Sequence, residues 1–194
     1  MTSKKIIIDA MSELYDKRLI SILDGNISYK PKNSSMFYLT GGSVKKNKLN
    51  HEQIIEINFD KDKRLKYNKS HLYLPSREIY MHSYLQTDPL YKDKDTFIIH
   101  AHPRNILSYM GLITHRELKT IKYFFPEINV GDIGNNVKYH HAGTNCLANE
   151  CYNNLLNNSI IGLKNHGSLS IGEDIDNMIE EIETLEYYTS IVMK

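Results

Sequence analysis

Short runs of β-branched and aromatic residues, closed by glycine, proline or asparagine turns, alternate along this chain with runs whose apolar residues recur every three or four positions. That alternation constrains the fold most, because strands and helices mixed in this way pack as layers of one α/β unit. The first helical run puts Ile7, Ala10, Met11 and Leu14 on one face, with Ser3 as its expected cap and Leu19 as an extension of the stripe. DGNISYK turns into a short strand, Pro31 to Ser35 is a turn, MFYLT is strand-like, and GGS forms a second glycine loop. Gln53 to Phe59 alternates as a strand, and Lys61 to Lys69 is a charged hairpin or loop. Strands are also expected at Thr96 to Ile99, Val137 to His140 and Ser159 to Leu163, and a glycine turn at Gly167 leads into SLSIG. LPSRE starts a helix, with Ser76 as N-cap and Glu78 in the first turn, running through Tyr84. Pro103 ends a strand or opens a helix, and Thr114 with Glu117 resembles a capping box. Asn145 to Leu156 is helical, and Ile175, Met178, Ile179, Ile182 and Leu185 mark a last long helix from Glu173 to Ile191.

The 194 residues show no repeat and no linker, so a single domain over 1–194 is expected. With 24 basic and 23 acidic residues the net charge is +1, which argues against gripping nucleic acid by bulk charge. No apolar run approaches the roughly 20 residues of a membrane span. The N-terminus interrupts its apolar pattern with charges, unlike a signal peptide, so a cytoplasmic protein without membrane or nucleic-acid partners is expected. Cys146 and Cys151, five apart, fit no zinc or redox spacing and read as reduced packing residues.

Nine histidines are the useful oddity. His100 and His102 end a strand two residues apart, so their side chains point the same way. They are either a shared set of metal ligands or two partly buried histidines, and HxH alone does not choose between them. A catalytic zinc takes three protein ligands and keeps one position open. His166, between a buried strand and a glycine turn, is the third candidate, while the adjacent pair His140 and His141 would face opposite ways on a strand. Glu78 is the acid–base candidate, with first-turn dipole work as its plainer role. His82, one helical turn on, either orients it or forms an ordinary surface pair. Gly25 and Asn26, with Thr40, Gly41, Gly42 and Ser43, offer backbone N–H groups and hydroxyls to an anion, joined by Ser76 at a helix start.

GNIS at 25–28, TGGS at 40–43, LPSRE with a later His at 74–82, IIHAHP at 98–103, AGT at 142–144 and LKNHG at 163–167 together resemble the class II aldolase/adducin family over nearly the whole chain. The resemblance implies a three-layer α/β/α domain with a central, largely antiparallel sheet. It also implies a homotetramer with active sites at subunit interfaces. By motif position, His100, His102 and His166 would hold Zn2+ or another divalent metal, and Glu78 would transfer the proton. Gly25, Asn26, Ser43 and Ser76 would line the phosphate site of an anionic sugar substrate, with Thr40 and Gly42 nearby. The implied reaction is reversible C–C cleavage of a short phosphorylated ketose through a metal-stabilised enediolate. Dehydration, epimerisation or decarboxylation on the same site are the alternatives. Family epimerases usually carry Asp at the Glu78 position, and a non-catalytic adducin-like module would have lost these ligands. Two departures fall at the anion site. Arg77 stands where the family usually has a second serine, and Gly41-Gly42-Ser43 replaces a Pro-Ser-Gly or Pro-Thr-Gly order. Some relatives use a tyrosine from a C-terminal tail as a second acid; Tyr187 and Tyr188 correspond by position only, and packing is their expected role.

Overall fold

The structure, a computed structural model, describes residues 2–111 and 116–193. Its elements are α1 (Ser3–Asp16), β1 (Asn26–Lys30), β2 (Met36–Thr40), β3 (Ile54–Phe59), β4 (Leu65–Lys66), α2 (Ile79–Gln86), β5 (Thr96–Ala101), α3 (Arg104–Gly111), α4 (Ile121–Phe124), α5 (Asn145–Leu155), β6 (Ile160–Leu163), β7 (Gly167–Gly172) and α6 (Ile175–Val192). The strands form one seven-stranded sheet in the order β4-β3-β2-β1-β5-β7-β6. Every pairing between neighbouring strands is antiparallel.

Three layers follow from the period-2 alternation of the central strands. Ile27, Tyr29, Phe97, Ile99 and Ala101 face one way and pack with α1, α3 and α6 in the larger core. Ile98, Ile161, Leu163, Leu169 and Ile171 pack with Met81 and Leu85 of α2 and with Leu147, Ala148, Cys151 and Leu155 of α5. Each fully buried side chain of this kind stabilises the fold by about 1.5–3 kcal/mol. On the α2 side of β1, however, the buried positions are Asn26 and Ser28 rather than apolar residues.

Several local expectations shift by identifiable competitors. Thr2, not Ser3, caps α1, its hydroxyl accepting from Lys5 N. The helix stops at Asp16, and Leu19 reaches the core after a left-handed turn at Arg18 (φ 60°). Helix α2 starts late. Gly41 and Pro75 form an antiparallel bridge, and Ser76 N donates to Thr40 O at 3.1 Å. Ser76 is thereby held in the sheet's extension, and Glu78 takes the cap position without using its carboxylate as a cap. Val137 to His140 forms no strand; Val137 makes one parallel bridge to Leu163 on the edge strand β6. Pro103 does open a helix, since its carbonyl accepts from Leu107 N at 2.9 Å. The proposed capping box at Thr114 lies outside the described residues. Of the two free cysteines, Cys151 packs in the core, but Cys146 is exposed at the second position of α5, in its solvated first turn. Among the described residues no helix is long and apolar enough to cross a membrane.

Candidate active site and metal centre

The sheet register assembles the site. His100 is the fifth residue of β5, paired with Asn26 of β1 on one side and Leu169 of β7 on the other. His102 lies just beyond the strand, its backbone N–H donating to Leu19 O at 3.0 Å. His166 sits in the turn between β6 and β7, and the pairing of Ala101 with Ser168 brings that turn beside the end of β5. Gly167 is required there, because a Cβ would lie 2.3 Å from Ala101 O and 2.8 Å from the His102 ring. Gly25, with φ +74°, brings β1 to the same end; a Cβ on it would lie 2.6 Å from Ile20 and 3.1 Å from His100 O.

The three imidazoles converge, with ring centroids 4.6, 4.7 and 5.4 Å apart, and one nitrogen from each lies within 4.8 Å of the others. His100 Nδ1 donates to the Ser168 carbonyl at 2.9 Å, since a carbonyl only accepts. In the neutral ring this leaves a lone pair on Nε2, and burial pushes His100 below its ordinary pKa against the opposing pull of Glu78. That Nε2 faces His102 Nε2 at 2.8 Å and Glu78 Oε2 at 3.2 Å. Glu78 Oε1 is buried, receives no hydrogen bond, and lies 3.0 Å from His166 Nε2. A neutral imidazole carries one N–H, so these contacts are hydrogen bonds within the cluster or, with the N–H groups turned outward, lone pairs converging where a cation would bind. The donor set is nitrogen-rich, braced behind His100 by a carbonyl and behind His102 by Asp24 at 3.6 Å. These are the features by which a protein holds a divalent metal with a position left open.

Glu78 is 7% exposed. Burial pushes its carboxyl up, but the imidazoles of His100 and His166 and the Asn26 amide outweigh this and hold it well below the usual carboxylate range. Burial likewise takes His102 down to about 3, with the neighbouring His100 adding to the fall. Glu78 is therefore an ionised base at the mouth of the histidine cluster, with a proton-transfer role open to it.

The glycine loops do converge. Gly42 N donates to Leu74 O at 2.9 Å, and the Thr40 hydroxyl accepts from Ile27 N at 3.3 Å, tying the loop after β2 to the segment before α2 and to β1. These groups are thus engaged in holding the loop. Ser76 Oγ accepts from Glu78 N at 3.3 Å, and Ser43 adopts φ +56°. Among the described residues the side chains of Ser43 and Arg77 have no hydrogen-bond or ionic partner, and Arg77 is exposed. The Asn26 side chain turns away from these loops: Nδ2 donates to Glu78 Oε2 at 2.9 Å and Oδ1 contacts His82.

Sequence reasoning did not single out Lys46, Asp24, Ser28 or Gln86. Lys46 is 3% exposed, donates to Gly41 O at 2.7 Å from beneath the glycine loop, and is lowered by burial to about 8. His82 is no surface residue: it is fully buried. His140 lies 3.1 Å from Glu150, away from the cluster. Tyr187 is 62% exposed and Tyr188 packs on Phe125, so neither is joined to the cluster by any contact. The signal that was available for Ser28 and Gln86 was spacing: Asn26 and Ser28 share one strand face, and Glu78, His82 and Gln86 follow one another at helical turns.

The chain belongs to the family described as class II aldolase and adducin N-terminal domain, whose model matches residues 5–193. It is similar to an L-fuculose phosphate aldolase of Methanococcus maripaludis, 31% identical over 179 residues that cover 89% of this chain and 86% of that protein. Among solved structures, an L-fuculose 1-phosphate aldolase superposes with a TM-score of 0.72 at 21% identity, covering 98% of this chain and 84% of the other. A sugar-phosphate aldolase from Thermotoga maritima superposes with a TM-score of 0.79 at 18% identity, covering 98% and 93%. YgbL from Escherichia coli, a candidate aldolase/epimerase/decarboxylase, superposes with a TM-score of 0.81 at 17% identity, covering 98% and 87%. The three structures share the fold seen here, a layered α/β arrangement around an antiparallel sheet.

Proposed function

We propose that this protein is a zinc-dependent aldolase that reversibly cleaves a C–C bond in a short phosphorylated ketose. The observation that carries the reading is the Glu78 carboxylate lying 3.2 Å from His100 Nε2 and 3.0 Å from His166 Nε2. His100, His102 and His166 would hold the metal, which when bound supplies a Lewis acid for negative charge on substrate oxygens. Glu78, ionised and shielded from bulk water, takes a proton from the substrate carbon in the condensation direction and returns it after cleavage. Asn26 keeps that carboxylate aimed inward. Gly25, Ser43, Ser76 and Arg77, on the loop edges nearest this cluster, bind and orient the phosphate, with Thr40 and Gly42 fixing the loop's shape. A single domain assembled as a cytoplasmic homotetramer, with sites at subunit interfaces, belongs to the same reading.

Purified protein should be offered a panel of ketose phosphates and hydroxy acids, with detection that separates aldehyde release from dehydration. Release of an aldehyde together with a three-carbon ketose phosphate supports the aldolase. Turnover of every ketose phosphate without aldehyde release would remove it. The second reading is action on a carboxylate substrate at the same residues, which the guanidinium of Arg77, without a partner among the described residues, favours, because it grips carboxylate as well as phosphate.

A further inference from the structure

Five buried polar side chains run in a line from the far end of α2 to Glu78. Gln86 is 1% exposed, Ser28 0%, His82 0%, Asn26 4% and Glu78 7%. Their meeting follows from two periodicities. Glu78, His82 and Gln86 are one helical turn apart, a rise of about 6 Å per step, and Asn26 and Ser28 are two strand residues apart, a rise of about 6.7 Å. The helix row and the strand row therefore stay in step across the α2–β1 contact.

The hydrogen bonds of this line can all be directed one way, from Gln86 to the carboxylate. Gln86 Nε2 lies 3.1 Å from the Thr96 carbonyl, which only accepts, so the nitrogen end of that amide faces it. The same nitrogen donates to Ser28 Oγ at 2.8 Å. The Ser28 hydroxyl proton is then free to go to His82 Nδ1, 2.8 Å away. With Nδ1 accepting, the proton of a neutral His82 sits on Nε2 and is given to Asn26 Oδ1. Asn26 must then present Nδ2 to Glu78 Oε2, as it does at 2.9 Å. No member of the line is charged until the carboxylate is reached.

We infer that His82 is a positioning residue: by holding Asn26 Oδ1 it fixes which end of the Asn26 amide meets Glu78, and so keeps that carboxylate aimed at the histidine cluster. An asparagine amide is nearly symmetric in shape, and rotating it by half a turn would set its oxygen against the carboxylate. The carboxylate itself disfavours this, and the Nε2 proton of His82, by holding Oδ1, fixes the amide from its other end. Ser28, which already accepts from Gln86, has its own proton to give to Nδ1, and this favours the His82 proton on Nε2. His82 is fully buried and its ring is held between Ser28 and Asn26, so its side chain acts on the carboxylate through Asn26. A buried line of this kind gains because each bond polarises the next, and a break leaves an unpaired polar group in a low-dielectric interior.

The inference rests on Glu78 being the proton-transfer residue of the proposed function, so its test has arms that do not need turnover. Long-range 1H–15N spectra of the whole protein should show His82 as the neutral Nε2–H tautomer; the Nδ1–H tautomer would overturn the inference. The Asn26 side-chain amide protons should exchange slowly in the wild type and much faster in His82→Leu; unchanged exchange in a folded His82→Leu would also overturn it. His82→Gln, whose amide nitrogen reaches the place of Nε2, should restore slow exchange, and failure to do so in a folded variant counts against it. On any ketose phosphate that is turned over, His82→Leu should lower kcat by about 10- to 100-fold, the range for residues that orient a site from behind. KM should stay within about twofold, and His82→Gln should recover most of the rate. A loss in KM alone would assign His82 to substrate binding instead and overturn the inference. If no ketose phosphate is a substrate while the tautomer and exchange results hold, the proposed reaction fails and the positioning of Glu78 stands.

Discussion

Asp24 Oδ2 lies 3.6 Å from His102 Nδ1, behind the ring whose Nε2 faces His100. A carboxylate on the far nitrogen of an imidazole orients the ring and raises its basicity as a ligand. Protein purified without chelator should therefore carry about one divalent ion per chain, zinc by expectation. Asp24→Ala should weaken metal affinity by roughly tenfold, measured by competition with a chromogenic chelator. Unchanged affinity would reduce Asp24 to its other bond, the 2.6 Å contact with Ser21 N that braces the loop.

Glu78→Gln keeps the shape of the side chain and removes its charge. The three imidazoles are untouched, so metal content should hold near the wild-type level. Turnover should fall by about 100- to 10,000-fold, the usual contribution of a positioned proton-transfer group. The comparison is metal content against kcat on the same preparation. Loss of both together would make Glu78 a ligand; loss of neither would take it out of the reaction.

How much of this site was legible in the sequence depends on which link is asked. His100 and His102 were readable as neighbours because alternation along one strand is local. His166 and Glu78 were candidates from their local context, a strand end and a first helical turn, but only the resemblance joined them to the pair, because the pairing of β5 with β7 and of β1 with β5 links residues far apart in the chain. The start of α2 was misread for a related reason. Ser76 has the chemistry of a cap, but its N–H is taken by Thr40 O in a long-range bridge, and propensity yields to that contact. Val137 to His140 looked like a strand by residue type, yet only Val137 finds a partner, on the sheet's edge. The buried line through His82 was illegible because polar residues on a helix face read as solvated until a polar strand face is found opposite them.

Acid should destabilise the fold through His82. Burial takes it from 6.5 to about 3. Between those values the unfolded chain binds a proton that the folded protein does not, so stability is full above pH 6.5 and falls as pH drops towards 3. Each pH unit across that window removes about 1.4 kcal/mol. Urea melts of chelator-treated His82→Leu should show a flatter acid limb than wild type in the same buffers. Equal slopes would mean that His82 is not neutral in the folded protein.

Lys46 gives the opposite end of the pH range its character. Burial lowers its ammonium from 10.5 to about 8, with Asp24 and Glu78 only partly opposing this. From pH 8 to 10.5 the unfolded chain holds the proton more tightly than the folded one, so stability rises with pH through this window. The shift corresponds to about 3 kcal/mol in total. Above pH 10 Tyr29, raised to about 12 by burial and by Asp95, acts in the other direction, because its phenol ionises first in the unfolded chain. Lys46→Met should flatten the alkaline rise, leaving the share of Lys30, which burial also lowers, and the Tyr29 decline, which melts at half-unit pH steps resolve.

Arg77 differs from Lys46 in being exposed, and among the described residues its guanidinium has no partner. It lies one residue before Glu78 and one after Ser76, at the junction where the glycine loop meets the start of α2. Its backbone is held close to the neighbouring AGT turn, since a Cβ on Gly143 would lie 2.8 Å from Arg77 O. The side chain is thus anchored at its root and free at its tip, the arrangement of a group that closes on an anionic ligand. A hydrogen bond to a charged group contributes about 1.5–3 kcal/mol, so Arg77→Ser should raise KM for the phosphorylated substrate by roughly 10- to 100-fold. If the guanidinium contacts only the phosphate, kcat should change little. Inorganic phosphate should inhibit the wild type and lose potency in the variant, and the inhibition should weaken with added salt. Equal phosphate inhibition in both proteins would leave the anion to Ser43 and Ser76.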